Sequence, residues 1–209
     1  MAAAPGRLDL IALVADQDMK ATLESLLSRP ESIGMRQIRF EVRPHPRHDP
    51  GCRTQSAEFL RPFSNRFAHA LVMFDYEGCG DEHSSVATLV KQVHNGLSKS
   101  GWGDRAEVIV LTPELESWIW SDSPIVDECC GWKGQLHPLR PWIAEQFEIQ
   151  DNGKPVRPKE AFHAALREMG KIPSSSLFRQ LAKRVSLERC QDPALTQLKT
   201  TLKRWFSAT

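Results

Sequence analysis

The stretch that most constrains the fold is Ala70-Leu-Val-Met-Phe-Asp-Tyr-Glu-Gly-Cys-Gly80. An apolar run, Ala70 to Phe74, stops abruptly at Asp75-Tyr76-Glu77. A run this short, with β-formers at Val72 and Phe74, reads as a strand buried on both faces. Side chains two apart on a strand share a direction, so a strand over 70–77 would send Asp75 and Glu77 out on one side of its C-terminal end. Carboxylates held that close repel unless a cation or a proton lies between them. Gly78 and Gly80 allow a sharp turn with little bulk near the acids, and Asp81 and Glu82 follow.

The same alternation of apolar run and acidic turn recurs. Leu8 to Val14 is a second buried strand; it breaks at Asp16-Gln17-Asp18 and enters a helix whose inward side is Leu23, Leu26 and Leu27. Asp16 or Asp18 is suited to cap that helix. Ile38 to Val42 alternates and reads as an edge strand. Glu107 to Leu111 is another solid apolar run. It is followed by Thr112-Pro113-Glu114, where Thr112 suits an N-cap, Pro113 a first helical position and Glu114 the first turn. Glu116 lies beside Trp118 and Trp120, in company where a carboxylate is costly unless paired or metal-bound. Helices are expected over 19–27, 55–67 and 84–97.

Four strands alternating with three helices predict an α/β fold: a four-stranded, mainly parallel sheet with helices on both faces. In such sheets the site lies at the C-terminal strand ends, near the topological switch. Asp16, Asp18, Asp75, Glu77, Glu114 and Glu116 would all arrive there. Oxygen ligands of this kind suit Mg²⁺ or Mn²⁺. No glycine-rich phosphate cradle occurs, which disfavours nucleotide binding through a P-loop or a Rossmann turn.

The remainder divides the chain. Residues 1–122 form the α/β domain. Residues 123–153, rich in Trp, Pro and Gly, read as an irregular insertion. Residues 154–209 form a C-terminal helical subdomain, with helices over 158–169, 175–185 and from Asp192-Pro193 onward. Charge follows the same division: 15 Lys and Arg against 21 Asp and Glu in residues 1–150, but 12 against 5 in residues 151–209. Lys183, Arg184, Lys199 and Lys203 are expected on an outward basic surface that would hold a polyanion through its phosphates. Arg43 and Arg47, in the proline-rich loop 43–51, are further candidates for phosphate contact. His45 and His48 share that loop at a spacing too loose for a metal motif.

A metal on carboxylates beside a basic surface is the apparatus of phosphodiester hydrolysis on DNA or RNA. The five cysteines form no CxxC and number too few and too oddly for a disulfide framework, which suits a reducing cytosol. No signal peptide is evident at the first residues, and no apolar run approaches the roughly 18 residues of a membrane span. The expected setting is cytoplasmic.

The order of strands, acidic turns and helices resembles the Toprim fold, shared by topoisomerases, primases and nucleases of the overcoming-lysogenization-defect type. Phe74-Asp-Tyr-Glu-Gly78, Pro113-Glu-Leu-Glu-Ser-Trp-Ile-Trp-Ser-Asp122, Arg157-Pro-Lys159 and Ser176-Leu-Phe-Arg-Gln-Leu-Ala182 resemble, more narrowly, a small Toprim-like family of bacterial proteins often encoded near phage-defence genes. The resemblance implies metal-binding roles for Asp75 and Glu77, a place in the site for Glu114 and Glu116, and nuclease-like activity in anti-phage defence, alone or with partner proteins. One departure stands out. Toprim domains usually carry a glutamate right after the first strand, as general acid or base, whereas here Val14 is followed by Ala15 and then Asp16-Gln17-Asp18. Either Asp16 or Asp18 substitutes with a shorter reach, or the position is lost and the domain only binds nucleic acid or partners. The second acid of the usual Asp-x-Asp is Glu77, one methylene longer.

Overall fold

A computed structural model describes residues 6–120, 123–187, 190 and 192–208. Asp122, the last residue of one motif quoted above, lies outside the described residues. Four strands form one sheet: β1 (Leu8–Val14), β2 (Phe40–Pro44), β3 (Phe67–Asp75) and β4 (Ala106–Leu111). Their order is β2-β1-β3-β4 and every pairing is parallel. The central strands β1 and β3 are buried almost throughout. That is the reason their sequences are continuous apolar runs and not alternating ones.

The connections fix where the helices go. β1 leads through α1 (Gln17–Leu27) outward to β2, whereas β2 returns past β1 through α3 (His48–Leu60), and β3 leads through α4 (Val86–Leu97) to β4. A short α2 (Pro30–Ile33) follows α1. Right-handed crossovers in opposite directions put α1 on one face and α3 with α4 on the other. The chain order therefore reverses between β1 and β3, and the switch point lies at their C-terminal ends.

The last third of the chain completes the same core. Residues 123–153 are only partly irregular: Ser123 caps α5 (Pro124–Cys130) by accepting from the Ile125 N–H, and α6 (Leu139–Gln146) follows, with turns between and after them. α7 (Pro158–Glu168), α8 (Ser175–Arg184) and α9 (Pro193–Trp205) lie close to the expected spans. α8 packs along α1, and α9 runs beside β4. Gln197 of α9 donates to the Val108 carbonyl 3.3 Å away, covering part of an edge that would otherwise be open. Phe162, Phe178, Leu181, Leu198 and Phe206 join the sheet residues in one continuous cluster. Each such side chain contributes about 2 kcal/mol by leaving water.

Three local expectations fail for physical reasons. β2 is displaced two residues, to Phe40–Pro44, and the segment after it is not a long loop, because α3 starts at His48. Pro50 lies in the first turn of that helix, where a missing N–H costs nothing. Thr112 does not cap a helix; Glu114 is extended and precedes a 3₁₀ turn, Leu115–Trp118. No helix among the described residues is long and apolar enough to cross a membrane.

Candidate functional site

β3 ends at Asp75, not Glu77. Beyond it the Tyr76 N–H donates to the Leu111 carbonyl at 2.8 Å and the Glu77 N–H to the Pro113 carbonyl at 3.0 Å, so the chain stays tied to the segment after β4 while it turns. Asp75 is consequently buried and Glu77 exposed; they are not a side-by-side pair leaving one strand. Gly78 and Gly80 adopt φ of 85° and 81°, in the left-handed region. The Glu82 carboxylate accepts from both their N–H groups, at 2.9 and 3.0 Å. Glu82 thus closes its own loop, and Asp81 faces Arg53 at 3.7 Å.

Asp75 is 9% exposed, and its Oδ1 has no hydrogen-bond partner within the chain. Burial, then the carboxylates of Asp49, Glu116, Asp16 and Glu114, push its pKa well above the ordinary aspartate range. Four of these five acids come from the ends of β1, β3 and β4, where a parallel sheet gathers them. The fifth, Asp49, comes from the first turn of α3. Sequence reasoning missed it because that turn read as loop. Its Oδ1 accepts from the Asp75 N–H at 2.8 Å.

On the other side lie Glu114 and Glu116, 7% and 5% exposed. Glu114 Oε1 accepts from the Lys159 N–H at 2.8 Å, joining the β4 exit to the first turn of α7. Burial raises the Glu116 pKa to about 7, with Glu114 and Asp16 adding to the rise and Lys159 opposing it. Burial raises that of Glu114 too, against the pull of Lys159. Lys159 is a cation set among these acids. Burial works against its charge, yet Glu116, Glu114, Asp75 and Asp16 together hold its pKa above the ordinary lysine value. Among the described residues it closes no salt bridge. The signal for it was the Arg157-Pro-Lys159 motif at the start of a helix.

The other candidates sort by location. Asp16 is the N-cap of α1, accepting from the Met19 N–H at 2.8 Å, and still belongs to the acidic group. Asp18 turns toward α8 and accepts from the Ser175 hydroxyl. Glu77 lies at the exposed rim, beside Glu114. Arg47 is exposed, just past the C-terminal end of β2. Arg43 instead binds Glu41 of its own strand and covers the Phe63 ring at 4.8 Å. His45 is buried and accepts from the Arg47 N–H at 3.0 Å through Nδ1, a structural role. The tail cations are not beside the acids. Lys183 and Arg184 close the far end of α8, Arg184 on Glu128 at 2.9 Å. Lys199 donates to the Leu187 carbonyl at 3.0 Å, and Lys203 lies along Gly34.

As they stand, no three His, Cys, Asp or Glu side chains among the described residues are gathered to hold a metal ion. The donor chemistry nonetheless fits a hard cation. Mg²⁺ keeps several waters and needs only one or two protein carboxylates, and Asp75 presents a buried oxygen with no partner. No family model, no curated protein and no solved structure matches the chain.

Proposed function

We propose that this acidic edge is a Mg²⁺- or Mn²⁺-dependent site for phosphodiester hydrolysis on a nucleic acid. The observation that carries the reading is Asp75, a buried aspartate with an unpartnered oxygen among four further acids. Such a group is stable only if it takes up a proton or a cation. Asp75, with Glu114 and the rim residue Glu77, supplies the oxygens. A bound cation would polarise a phosphate and acidify a water. Glu116, with a pKa of about 7, is able to accept or release a proton at neutral pH. The Lys159 ammonium, at the edge of the group, is suited to a phosphate oxygen. Exposed Arg47, just past the C-terminal end of β2, is suited to a neighbouring phosphate without reading sequence.

Cleavage of plasmid DNA and of RNA with Mg²⁺ or Mn²⁺ tests this, wild type against Asp75→Asn. Cation-dependent cleavage by the wild type alone is expected; no cleavage with either cation overturns the reading. A second reading has its own support. Ala15 occupies the position after β1 where Toprim domains carry their glutamate, and Asp16 is engaged as a helix cap. On that reading the protein is a non-catalytic Toprim-like subunit that binds nucleic acid or a partner protein. Retention of nucleic acid without cleavage, unaffected by Asp75→Asn, would favour it.

A further inference from the structure

We propose that the open edge of β2 recognises a second copy of this chain, the two β2 strands pairing antiparallel about a two-fold axis at Val42. The proposal does not depend on the chemistry of the acidic edge.

The two outer strands of the sheet are treated differently. β4 is covered by α9, whose Gln197 occupies a main-chain carbonyl of that strand. β2 ends the sheet on the other side, with β1 as its strand neighbour. The Arg39 carbonyl accepts from the Leu10 N–H at 3.2 Å, and the His45 N–H donates to the Val14 carbonyl at 2.8 Å. Main-chain groups alternate sides along a strand. Arg39, Glu41, Arg43 and His45 therefore face β1, and Phe40, Val42 and Pro44 turn their main chain outward. Among the described residues no hydrogen bond reaches those outward groups. Pro44 lacks an N–H, but on the outward side this costs no bond to β1. An open groove of about 460 Å³ runs along the strand, flanked by Lys20 and Glu24 of α1 and Phe59 of α3, so neither helix fills the space beside it.

An unpaired edge takes up another strand, and the side chains here say which. Glu41 and Arg43 pair with each other and are 32% and 43% exposed. A two-fold axis makes the incoming β2 antiparallel, and outward residues must meet outward residues. With the axis at Val42, Glu41 lies opposite the partner's Arg43 and Arg43 opposite the partner's Glu41, four charges of alternating sign. Val42 then exchanges both of its hydrogen bonds with its own copy, and the Phe40 N–H reaches the partner's Pro44 carbonyl. Moving the axis to Glu41 or to Arg43 puts two glutamates or two arginines face to face, and like charges directly opposite destabilise a pair. Larger shifts unpair most of a five-residue strand. Charge thus selects register and partner together: the antiparallel complement of Glu41-Val42-Arg43 is the same three residues. Lys20 and Glu24, 3.8 Å apart, add no excess of either sign at the rim. In the dimer two four-stranded sheets become one, and their acidic edges face opposite ways.

The rival explanation is a guarded edge, since short strands, charges and proline also keep sheets from associating. Charge exchange separates the two. Sedimentation of the full chain from about 1 to 100 μM, the range in which a small interface dissociates, is compared for five samples. These are wild type, Glu41→Arg, Arg43→Glu, the double exchange Glu41→Arg/Arg43→Glu, and an equimolar mixture of the two single variants. Thermal unfolding by circular dichroism checks that each chain folds. The expected result is a concentration-dependent dimer for the wild type, and self-association about tenfold weaker or more in each single variant. Association returns in the double exchange and in the mixture, where unlike charges again lie opposite. A wild type that stays monomeric overturns the proposal and leaves the edge guarded or open to an extended segment of another protein. A dimer indifferent to both single changes uses another surface and overturns it too. If either single variant fails to fold, Glu41→Gln and Arg43→Gln replace them, with a weakening of about threefold expected; unchanged association then overturns the proposal.

Discussion

Two aspartates lie on neighbouring central strands, at opposite ends of the sheet, and nearly equally buried: Asp9 on β1 is 6% exposed and Asp75 on β3 is 9% exposed. Their surroundings are opposite. Asp9 accepts from Arg36 Nη2 and from the Arg39 N–H, each at 2.7 Å. Burial alone would raise its pKa, but these donors and the two guanidinium charges outweigh burial and hold it below the ordinary value. Asp75 has acids for neighbours and an oxygen with no partner, so its pKa goes up. The same contrast extends over the two edges. At the N-terminal edge Arg105 donates to the carbonyls of Phe67, Ala68, Ser64 and Gly101, and Arg204 meets Glu107 at 3.2 Å. One edge pairs its buried or half-buried carboxylates with guanidinium groups and so secures the fold. The other holds an excess of like charge that the fold does not need, and such groups cluster at sites of function.

Neutralising the two residues should split the molecule's properties cleanly. On the cation reading, Asp75→Asn loses two orders of magnitude or more of cation-dependent cleavage, about 3 kcal/mol of barrier. In the same variant the melting temperature in EDTA rises. A variant that is both active and less stable would break the contrast. Asp9→Ala should do the reverse. It removes one partner of a buried, charge-assisted pair and costs about 2 kcal/mol, the low end for such losses because the Arg36 side chain is 43% exposed. Urea unfolding measures it. Because the folded-state pKa of Asp9 is lowered, its contribution is present above the ordinary aspartate pKa and disappears as pH falls through the folded value. The gap between wild type and Asp9→Ala should therefore close in acid.

Glu116 carries the opposite sign. Its pKa is raised from 4.5 to about 7, so the stability it contributes is complete below pH 4.5 and lost as pH rises through about 7. In EDTA the wild type should lose on the order of 2–3 kcal/mol to this group between those limits, and Glu116→Gln should flatten that part of the profile. A wild-type profile that is flat from pH 5 to 8 would count against the burial of an ionisable Glu116. The smallest effect belongs to the tail. Arg184→Ala breaks an exposed pair with Glu128 and should leave the melting temperature unchanged within error. A clear drop would show that pair to matter more than its exposure suggests.

The sheet was legible because buried parallel strands are written as unbroken apolar runs; Leu8 to Val14 and Glu107 to Leu111 needed almost no adjustment. The acids of β1, β3 and β4 were legible for the same reason, since each follows the end of such a run. What the pattern concealed was position across the chain. Asp49 lay in a segment whose prolines looked like loop, although Pro50 suits a helical first turn. Glu77 looked like a strand residue because a period of two takes no account of where pairing stops. α5 and α6 were hidden by Trp and Pro content, although Ser123-Pro124 is a capping pair. The basic tail was read correctly as helices, but their direction carries Lys183, Lys199 and Lys203 away from the acids, and no periodicity reveals that.

The bond from the Lys159 N–H to Glu114 also sets an order of assembly. A chain leaving the ribosome presents Asp16, Asp49, Asp75, Glu114 and Glu116 first, and Lys159 arrives later, with the start of α7. Until then the acids lack the ammonium of Lys159, and the carboxylates have reason to stay protonated, hydrated or bound to an ion from the surrounding medium. Maturation of the acidic edge is therefore coupled to completion of the C-terminal helices, and a truncated chain ending before residue 158 would retain the acids without the residue that moderates them.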